Sequence, residues 1–447
     1  SSGELSGSTG IINVTGGAQS YLKIRDASGG VGNEVDDVTM TTDESLTLFA
    51  AVYDADGNFL NFISVDWSST DNLDEISSTG SSYTFSPNTS GTAGSIVISS
   101  GSLISDATGT ITVTGGAQSY LKIRDASGGG GSEVGDITMT TDESLIMYAA
   151  VYDEDDNYLE DVNVNWITTG TLENITSFGI SFIFIPSVAS SSGTISISSG
   201  LLSADETGTI TVNGGSQSYL KIRDAAGGGG SEVGDVTMTT DESLTMYAAV
   251  YDADDNYLQD ITVDWTNTGT LDAVFFSGAS FIFDPSTAST AGTISINIGL
   301  LTNATGTITV NGGAQSYLKI RDASGGGGSE VGDITMTTDE SLTMYAAVYD
   351  ADGNYLQDVS ADWTSTGTLE AVSFSGELFI FYPTTSNTTG YIEVNNEFLI
   401  LDQTGIITII NPPIINYNSG SISPNTISAG TPVNFELSVV NEGDVGV

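Results

Sequence analysis

The chain repeats itself every 98 or 99 residues, and this period limits its fold more than any other feature. The phrase Tyr-Leu-Lys-Ile-Arg-Asp recurs at spacings of 99, 99 and 98. One tryptophan follows each copy of the phrase, always 46 residues after its tyrosine. The phrases begin at Tyr21, Tyr120, Tyr219 and Tyr317, and the tryptophans are Trp67, Trp166, Trp265 and Trp363. A period of this length is the size of an independently folding domain, so the sequence predicts four copies of one domain.

Both ends of the chain lie outside the four complete copies. Residues 1–20 match residues 100–119, which form the tail of a copy, and the pattern stops where Asn411-Pro412-Pro413 replaces the Gly-Gly junction. We expect any signal, anchor or head segment to lie beyond this sequence. The predicted divisions are 1–17, the C-terminal strand of a truncated preceding repeat; 18–116, 117–215, 216–313 and 314–411, repeats 1 to 4; and 412–447, the truncated start of a different β-rich module.

Composition and alternation predict an all-β fold within each copy. Charged residues make up only 15% of the chain and glycines number 54, a mixture typical of short strands joined by turns. About seven strands are expected in each copy, the first two being halves of one interrupted edge strand. In repeat 3 they are 219–224, 236–239, 243–251, 261–266, 280–283, 292–298 and 306–311, with a short addition near Leu271. Alternation places Leu220, Ile222, Val263 and Trp265 in the core and turns Lys221 outward.

The charge and the missing residue types exclude several functions. With 57 acidic and 8 basic residues the net charge is −49, which repels nucleic acids and anionic membranes. The chain has no Cys and no His, so it lacks disulfides, thiolate sites and the usual general base. No apolar run is long enough to span a bilayer. Paired carboxylates could hydrolyse glycosides, but four copies of the same turn without a cleft argue against an enzyme.

The order of motifs resembles the bacterial immunoglobulin-like repeats of intimin- and invasin-type adhesins and other giant surface proteins. Repeat 3 carries Ala-Ala-Val-Tyr-Asp, an acidic turn, Val-Asp-Trp, Phe-Asp-Pro, Gly-Thr-Ile-Ser-Ile and Gly-Thr-Ile-Thr-Val in that order. The resemblance implies tandem immunoglobulin-like β-sandwiches in an elongated array at a prokaryotic cell surface. It also implies spacing, display or adhesion, without choosing among them. The stretch from Ser419 to Asp444 is similar to the opening of CARDB-type adhesion modules.

All eight basic residues lie in the repeated phrase. Spacing by two places each Lys and Arg on one face of a strand beside a tyrosine. Two interpretations remain open: pairing with acidic side chains on neighbouring strands of the same domain, or lateral docking onto the acidic surface of another molecule. The candidate interaction residues are Tyr21, Lys23, Arg25, Tyr120, Lys122, Arg124, Tyr219, Lys221, Arg223, Tyr317, Lys319 and Arg321.

An acidic turn follows the second main strand of every copy. Carboxylates two residues apart with a following Asn suit a hard cation such as Ca²⁺, although the pattern is not that of an EF-hand and also fits a simple tight turn. The candidate calcium ligands are Asp54, Asp56, Asn58, Asp153, Asp155, Asn157, Asp252, Asp254, Asn256, Asp350, Asp352 and Asn354. We expect these turns to lie beside the linker from the preceding domain, where a cation would stiffen the junction. The Gly-rich run that begins at Gly227 and its equivalents are expected to be flexible breaks in the edge strand.

Three functions are compatible with this sequence. The first is a structural stalk or filament segment of an extracellular prokaryotic surface protein, assembling with copies of itself or other surface proteins. The second is an adhesin whose repeats bind a host, mineral or polysaccharide ligand. The third is a spacer in a secreted enzyme.

Overall fold

The computed structural model describes residues 3, 4 and 6–412, and every regular element there is a β-strand. None of these residues forms a helix long and apolar enough to cross a membrane. Contacts divide the chain into two compact units, Ser1–Ser216 and Gln217–Val447. Unit 1 contains repeats 1 and 2, and unit 2 contains repeats 3 and 4. The module expected at 412–447 lies outside the described residues, apart from Pro412.

Eleven short strands form in each repeat, at equivalent positions. Repeat 1 contains β1 Gln19–Arg25, β2 Val38–Thr41, β3 Leu46–Asp54, β4 Phe59–Phe62, β5 Val65–Ser69, β6 Ser77–Gly80, β7 Ser82–Phe85, β8 Thr92–Gly94, β9 Ile96–Ser99, β10 Asp106–Ala107 and β11 Ile111–Thr114. Repeat 2 contains β12 Tyr120–Arg124, β13 Ile137–Thr140, β14 Leu145–Tyr152, β15 Tyr158–Asp161, β16 Val164–Thr168, β17 Thr176–Gly179, β18 Ser181–Phe184, β19 Ser191–Gly193, β20 Ile195–Ser198, β21 Asp205–Glu206 and β22 Ile210–Asn213.

Unit 2 has the same strand pattern as unit 1. Repeat 3 contains β23 Tyr219–Arg223, β24 Val236–Thr239, β25 Leu244–Tyr251, β26 Tyr257–Asp260, β27 Val263–Asn267, β28 Phe275–Gly278, β29 Ser280–Phe283, β30 Thr290–Gly292, β31 Ile294–Ile298, β32 Leu301–Ala304 and β33 Ile308–Asn311. Repeat 4 contains β34 Tyr317–Arg321, β35 Ile334–Thr337, β36 Leu342–Tyr349, β37 Tyr355–Asp358, β38 Ala361–Ser365, β39 Ser373–Gly376, β40 Leu378–Phe381, β41 Thr388–Gly390, β42 Ile392–Asn395, β43 Asp402–Gln403 and β44 Ile407–Ile410.

Each repeat is an immunoglobulin-like β-sandwich. In repeat 2, β14 pairs with β12, β15 and β18 to form one face. The opposite face consists of β17-β16-β20-β21 together with β13-β22-β19. The first strand is shared between the faces, because β12 pairs antiparallel with β14 whereas β13 pairs parallel with the last strand, β22. The predicted fold class and the interrupted first strand are therefore confirmed.

A tryptophan fills the centre of each sandwich. The Trp265 side chain is fully buried and packs with Leu220, Ile222 and Val263 in the core of repeat 3. Its indole N–H donates to the carbonyl oxygen of Gly278 at 2.9 Å, so the one polar atom of the ring is satisfied inside the core. The other three tryptophans make the equivalent bond. The inward positions predicted from alternation are confirmed.

Eleven strands form where about seven were expected, and the additional strands have two causes. In repeat 3 the additional strands β26, β28 and β32 are short, and β28 has no fully buried residue, so they give little alternating signal. The expected strand 292–298 is interrupted after Gly292, where a Cβ atom would lie 2.0 Å from the Thr268 carbonyl oxygen. No strand forms near Leu271, which instead contributes to the core.

Residues 6–18 form no strand, although 1–17 were expected to contain one. The side chains of Ile12 and Val14 are 78% and 92% exposed. Their sequence equivalents in β11 are buried because β11 pairs with both β2 and β8 of its own repeat. Residues 6–18 have no pairing with counterparts of those two partner strands, so the same sequence forms no strand here.

The tryptophan packing gives a direct test of the fold. We expect Trp265→Ala to lower the free energy of unfolding of repeat 3 by about 3–5 kcal/mol, because it removes a large buried aromatic side chain. Chemical denaturation monitored by circular dichroism would measure the change. Phe275→Ala is the matched control in the same repeat, since Phe275 is 89% exposed. Equal effects of the two substitutions would contradict the assigned core.

Candidate functional site

The acidic turn of each repeat is organised around its first aspartate. Asp153 immediately follows β14, and its side chain has no exposed surface. Its Oδ1 atom accepts the backbone N–H groups of Asp155 at 3.1 Å and Asn157 at 2.8 Å, which closes the turn. The Asn157 amide group adds bonds to both carboxylate oxygens. Aspartate is used because its short carboxylate can bond to backbone groups further along its own turn.

In unit 1 this aspartate also connects repeat 2 to repeat 1. The Oδ2 atom of Asp153 accepts the backbone N–H of Gly116 in the linker at 3.0 Å. It also accepts the Thr42 hydroxyl, which follows β2 of repeat 1, at 2.9 Å. Burying a carboxylate is costly unless its oxygens are hydrogen-bonded. Separation of the two repeats would remove part of this solvation and leave the charge with fewer donors.

Asn157 makes a second connection to repeat 1. Its Oδ1 atom accepts the Ser90 backbone N–H at 2.9 Å, and its Nδ2 atom donates to the Asn88 carbonyl oxygen at 3.0 Å. The amide therefore satisfies one donor and one acceptor of a loop in the neighbouring sandwich. We call Asp153, Asn157 and their bonds to Thr42, Gly116 and the loop at residues 88–90 the junction staple.

Unit 2 contains the same junction staple between repeats 3 and 4. Asp350 and Asn354 take the places of Asp153 and Asn157. Their bonds are Thr240 Oγ1 to Asp350 at 3.0 Å, Gly313 N to Asp350 at 3.0 Å, Ala288 N to Asn354 Oδ1 at 3.0 Å, and Asn354 Nδ2 to Ser286 O at 2.9 Å. Since two separate units contain the same set, the repeat sequence itself specifies the junction.

The linker glycines allow the chain to approach both repeats closely. A Cβ atom on Gly115 would lie 2.2 Å from the Leu159 Cδ2 atom of repeat 2, and one on Gly116 would lie 2.4 Å from the Asp43 Oδ1 atom of repeat 1. The next residue, Ala117, donates its N–H to Asp43 Oδ2 at 2.6 Å. The linker is therefore packed and hydrogen-bonded on both sides, and Gly312-Gly313 repeat the arrangement in unit 2.

The calcium prediction gains no support from this geometry. The carboxylate of Asp153 is surrounded by N–H and O–H donors, which occupy the lone pairs that a cation would need. The second aspartates of the turns, Asp56, Asp155, Asp254 and Asp352, are exposed. Within residues 3, 4 and 6–412, no three acidic side chains gather as metal ligands. The predicted position beside the incoming linker is correct in unit 1, while calcium binding itself stays a prediction.

Hydrogen bonds keep the junction carboxylates ionised. Burial alone would raise the pKa of Asp153, but the bonds from Gly116, Asn157 and Thr42 outweigh burial and lower that pKa. The pKa of Asp350 is lowered by the same balance. In repeat 1, the Asn58 side chain and the Gly17 N–H lower the pKa of Asp54 to about 2.

The lysines of the basic motif pair within their own repeats. Lys122 and Lys221 each bond an aspartate of the acidic turn at 2.7 Å, Asp156 and Asp255 respectively. Lys23 and Lys319 instead pair with Glu34 and Glu330, in the loop after the first strand. These partners lie in turns and loops rather than on neighbouring strands, where the first interpretation had placed them. Lateral docking through the motif stays a prediction.

One turn position accounts for the difference between the lysines. Repeats 2 and 3 carry Asp156 and Asp255 there, both in the left-handed region with φ of 69°. Repeats 1 and 4 carry Gly57 and Gly353 at the same position. In repeat 2 the Asp156 carboxylate accepts hydrogen bonds from the Lys122 ammonium group and the Tyr120 hydroxyl. These two bonds lower the pKa of Asp156. Where glycine stands instead, the lysine pairs with the glutamate.

The arginines hold the Gly-rich run in a hydrogen-bonded loop, whereas the sequence predicted a flexible break in the edge strand. Arg124 donates to the carbonyl oxygens of Gly129, Gly130 and Gly131, so the loop closes around its guanidinium group. Gly129 has a φ of 68°, and a Cβ atom there would lie 2.4 Å from the Tyr158 ring. In repeat 1, where Val31 interrupts the glycines, Arg25 donates to the Tyr53 hydroxyl instead.

Sequence reasoning missed the threonine and the loop that receive the junction staple. Thr42 follows β2 in the phrase Thr-Thr-Asp-Glu, which recurs in every repeat. The phrase resembles an ordinary turn, so its recurrence alone gave no sign that a threonine donates to another repeat. The loop at residues 88–90 contributes backbone atoms, which carry no sequence signature.

No protein-family model matches the chain, and no curated protein matches its sequence. Its folding pattern is similar to those of solved tandem immunoglobulin domains, among them the following two structures. The N-terminal four Ig domains of Dscam1 isoform 4.44 share 9% identity, with 84% of this chain and 97% of that chain covered and a TM-score of 0.21. Sidekick-1 immunoglobulin domains 1-5 share 8% identity, with 89% and 81% covered and a TM-score of 0.22. Similarities at this level carry no functional argument, and the fold assignment rests on strand order and register.

The junction staple predicts a local change in hydrogen exchange. Asn157→Ala and Asn354→Ala together should speed exchange of the linker amides at Gly116, Ala117, Gly313 and Ala314, because each junction loses its contact with the preceding loop. Asn58→Ala is the matched control, since Asn58 makes the same bonds to Asp54 but none to a preceding sandwich among the described residues. Mass spectrometry of linker peptides would measure the rates. Unchanged linker exchange in the double variant would contradict the staple.

The lowered pKa values predict loosening of the junctions in acid. A carboxyl group with a depressed folded pKa contributes stability above its unfolded pKa, near 3.9, and loses that contribution as pH falls through the folded value. Linker amides should therefore stay protected at pH 5 and lose protection as the pH falls towards 2. Exchange rates corrected for intrinsic pH dependence would show this. Strand amides such as Val151 serve as the internal control, and equal protection at both pH values would be inconsistent with the assignment.

Proposed function

We propose that this chain is a structural repeat region, forming part of a stalk or filament of an extracellular prokaryotic surface protein. The junction staple is the observation that carries the proposal. A buried carboxylate that is solvated by two repeats resists their separation, because separation leaves the charge with fewer donors. A segment that must hold its domains in a defined order needs such a connection. A set of independent binding modules on free linkers does not.

The surface supports an extracellular location and a passive role. Acidic residues outnumber basic ones by 57 to 8, and each lysine pairs within its own repeat. The remaining surface is strongly negative, which keeps long repeated molecules soluble and apart. The motif order also resembles that of bacterial surface repeats. A spacer in a secreted enzyme would share these properties, and an intact gene containing a catalytic domain would identify it.

Adhesion is the second candidate, and exposed apolar side chains favour it. Phe275 and Phe276 of repeat 3 are 89% and 46% exposed and line a shallow depression with Asp264 and Asn297. Repeat 1 has Ser77 and Ser78 at the equivalent strand positions. Aromatic faces beside polar groups suit the apolar and hydroxyl surfaces of a polysaccharide. The ligand would then bind to particular repeats rather than to all four.

Immunogold labelling of intact source cells tests the structural proposal. Antibodies against the four-repeat chain should label stalks or filaments at the cell surface. Label confined to the cell interior would contradict the proposal. Glycan-array binding by the purified chain, with Phe275→Ser and Phe276→Ser as the comparison, tests adhesion separately. Binding that these substitutions abolish would favour the adhesin.

The origin of junction stiffness can be tested without changing the sequence. We expect linker exchange to be the same in millimolar calcium and in chelator, because protein donors already occupy the Asp153 and Asp350 carboxylates. Hydrogen exchange of the two linker peptides in both buffers is the measurement. Slower exchange in calcium alone would instead support the predicted calcium site.

A further inference from the structure

In three repeats, a partly buried aspartate connects the tenth strand to the first strand. Asp106 begins β10, and its Oδ2 atom accepts the backbone N–H of Ile24 in β1 at 2.7 Å. Asp205 and Asp402 accept the N–H groups of Ile123 and Ile320 at 2.7 and 2.8 Å. In each case the aspartate carboxylate accepts a strand N–H that a backbone carbonyl would accept in a regular strand pair.

The same edge of the first strand presents an acceptor as well as a donor. The Leu22 N–H already points away from β3, to the Ile104 carbonyl oxygen at 3.0 Å. The N–H and C=O of a residue in a strand point to the same edge, so the Leu22 carbonyl also faces β10. An ionised carboxylate cannot donate a hydrogen bond to that carbonyl, because it only accepts.

Repeat 3 provides a natural comparison. Asn303 occupies the position of Asp106, since it pairs with Ile296 as Asp106 pairs with Ile98. Its Nδ2 atom donates to the Leu220 carbonyl oxygen at 2.7 Å. A side chain at this position therefore reaches the strand carbonyl when it carries a hydrogen. The Asn303 Oδ1 atom is buried and has no partner among the described residues.

We propose that Asp106, Asp205 and Asp402 are proton-dependent pins between the tenth and first strands of repeats 1, 2 and 4. In the neutral form each carboxyl group can accept the isoleucine N–H and donate its own O–H to the leucine carbonyl. The neutral form can therefore bond to the leucine carbonyl, as Asn303 does, whereas the ionised form cannot. The Asn303 amide carries its hydrogens at both acidic and mildly alkaline pH, so repeat 3 does not respond to pH through this position.

The surroundings of the pins favour the neutral form. Burial is the main cause that raises the pKa of Asp106, and Glu34 raises it further. Lys23 and the Ile24 N–H act in the opposite direction but do not cancel burial. Asp205 faces Glu133 and Lys122, and Asp402 faces Glu330 and Lys319, with the same balance. A raised folded pKa means that the contribution to stability is complete below the unfolded pKa and is lost as pH rises through the folded value.

The test compares wild type with a triple variant, Asp106→Asn, Asp205→Asn and Asp402→Asn, in the full chain. We expect the variant to unfold a few degrees higher at pH 8, and this advantage to diminish as the pH falls towards 4. Thermal unfolding across this range measures the difference. An advantage that is independent of pH, or a lower midpoint at pH 8, would overturn the proposal.

Two further variants separate the pins from general charge effects. Asp66→Asn, Asp264→Asn and Asp284→Asn change the net charge equally at exposed positions and should not reproduce the pH-dependent difference. Asn303→Asp should make the first strand of repeat 3 sensitive to pH. Compared with wild type, exchange of its first-strand amides should be faster at pH 8, and this difference should be smaller at pH 4. A matching pH profile from the exposed variants, or no response in Asn303→Asp, would show that the pins do not titrate as proposed.

Discussion

The connection between neighbouring repeats depends on a carboxylate that is removed from water and then solvated by protein donors. Asp153 needs its own turn, the linker and the preceding repeat to supply those donors, so three segments are fixed relative to one another by one charge. The linker glycines and the packing on Leu159 follow from this requirement, because only a close approach brings the Gly116 N–H within reach. Opposite charges are not needed, which is why a chain with so few basic residues can build the junction.

Two kinds of aspartate on this chain respond to protons in opposite directions. Asp153 and Asp350 receive enough donors to overcome burial, so their ionised forms stabilise the junctions. Asp106, Asp205 and Asp402 are only partly buried but receive fewer bonds, and burial raises their pKa. Acid therefore weakens the connections between repeats while it favours the closure of strands within them. The number of hydrogen-bond donors, rather than burial alone, decides whether the pKa of each aspartate is lowered or raised.

The sequence predicted the sandwich because its core obeys local rules. Alternation placed Leu220 and Ile222 inward, and the regular spacing of the tryptophans identified the strand that crosses the core. The junction was harder to predict, because Thr42 and the backbone at Ser90 lie more than 60 residues before the side chains they bind. The acidic turn was recognised in the sequence. Its Asp and Asn residues could equally bind a cation or accept N–H groups, so the residue types alone did not decide between the two roles. The lysine partners depend on a single turn residue, glycine or aspartate, whose effect appears only when the turn is folded.

Each junction staple uses residues from two adjacent copies and from the linker between them. The threonine and the receiving loop belong to one copy, and the aspartate and asparagine belong to the next. Loss or gain of a whole copy by recombination between repeats would therefore bring an equivalent turn to an equivalent loop. The length of such a protein can change in steps of one repeat without any new interface having to evolve.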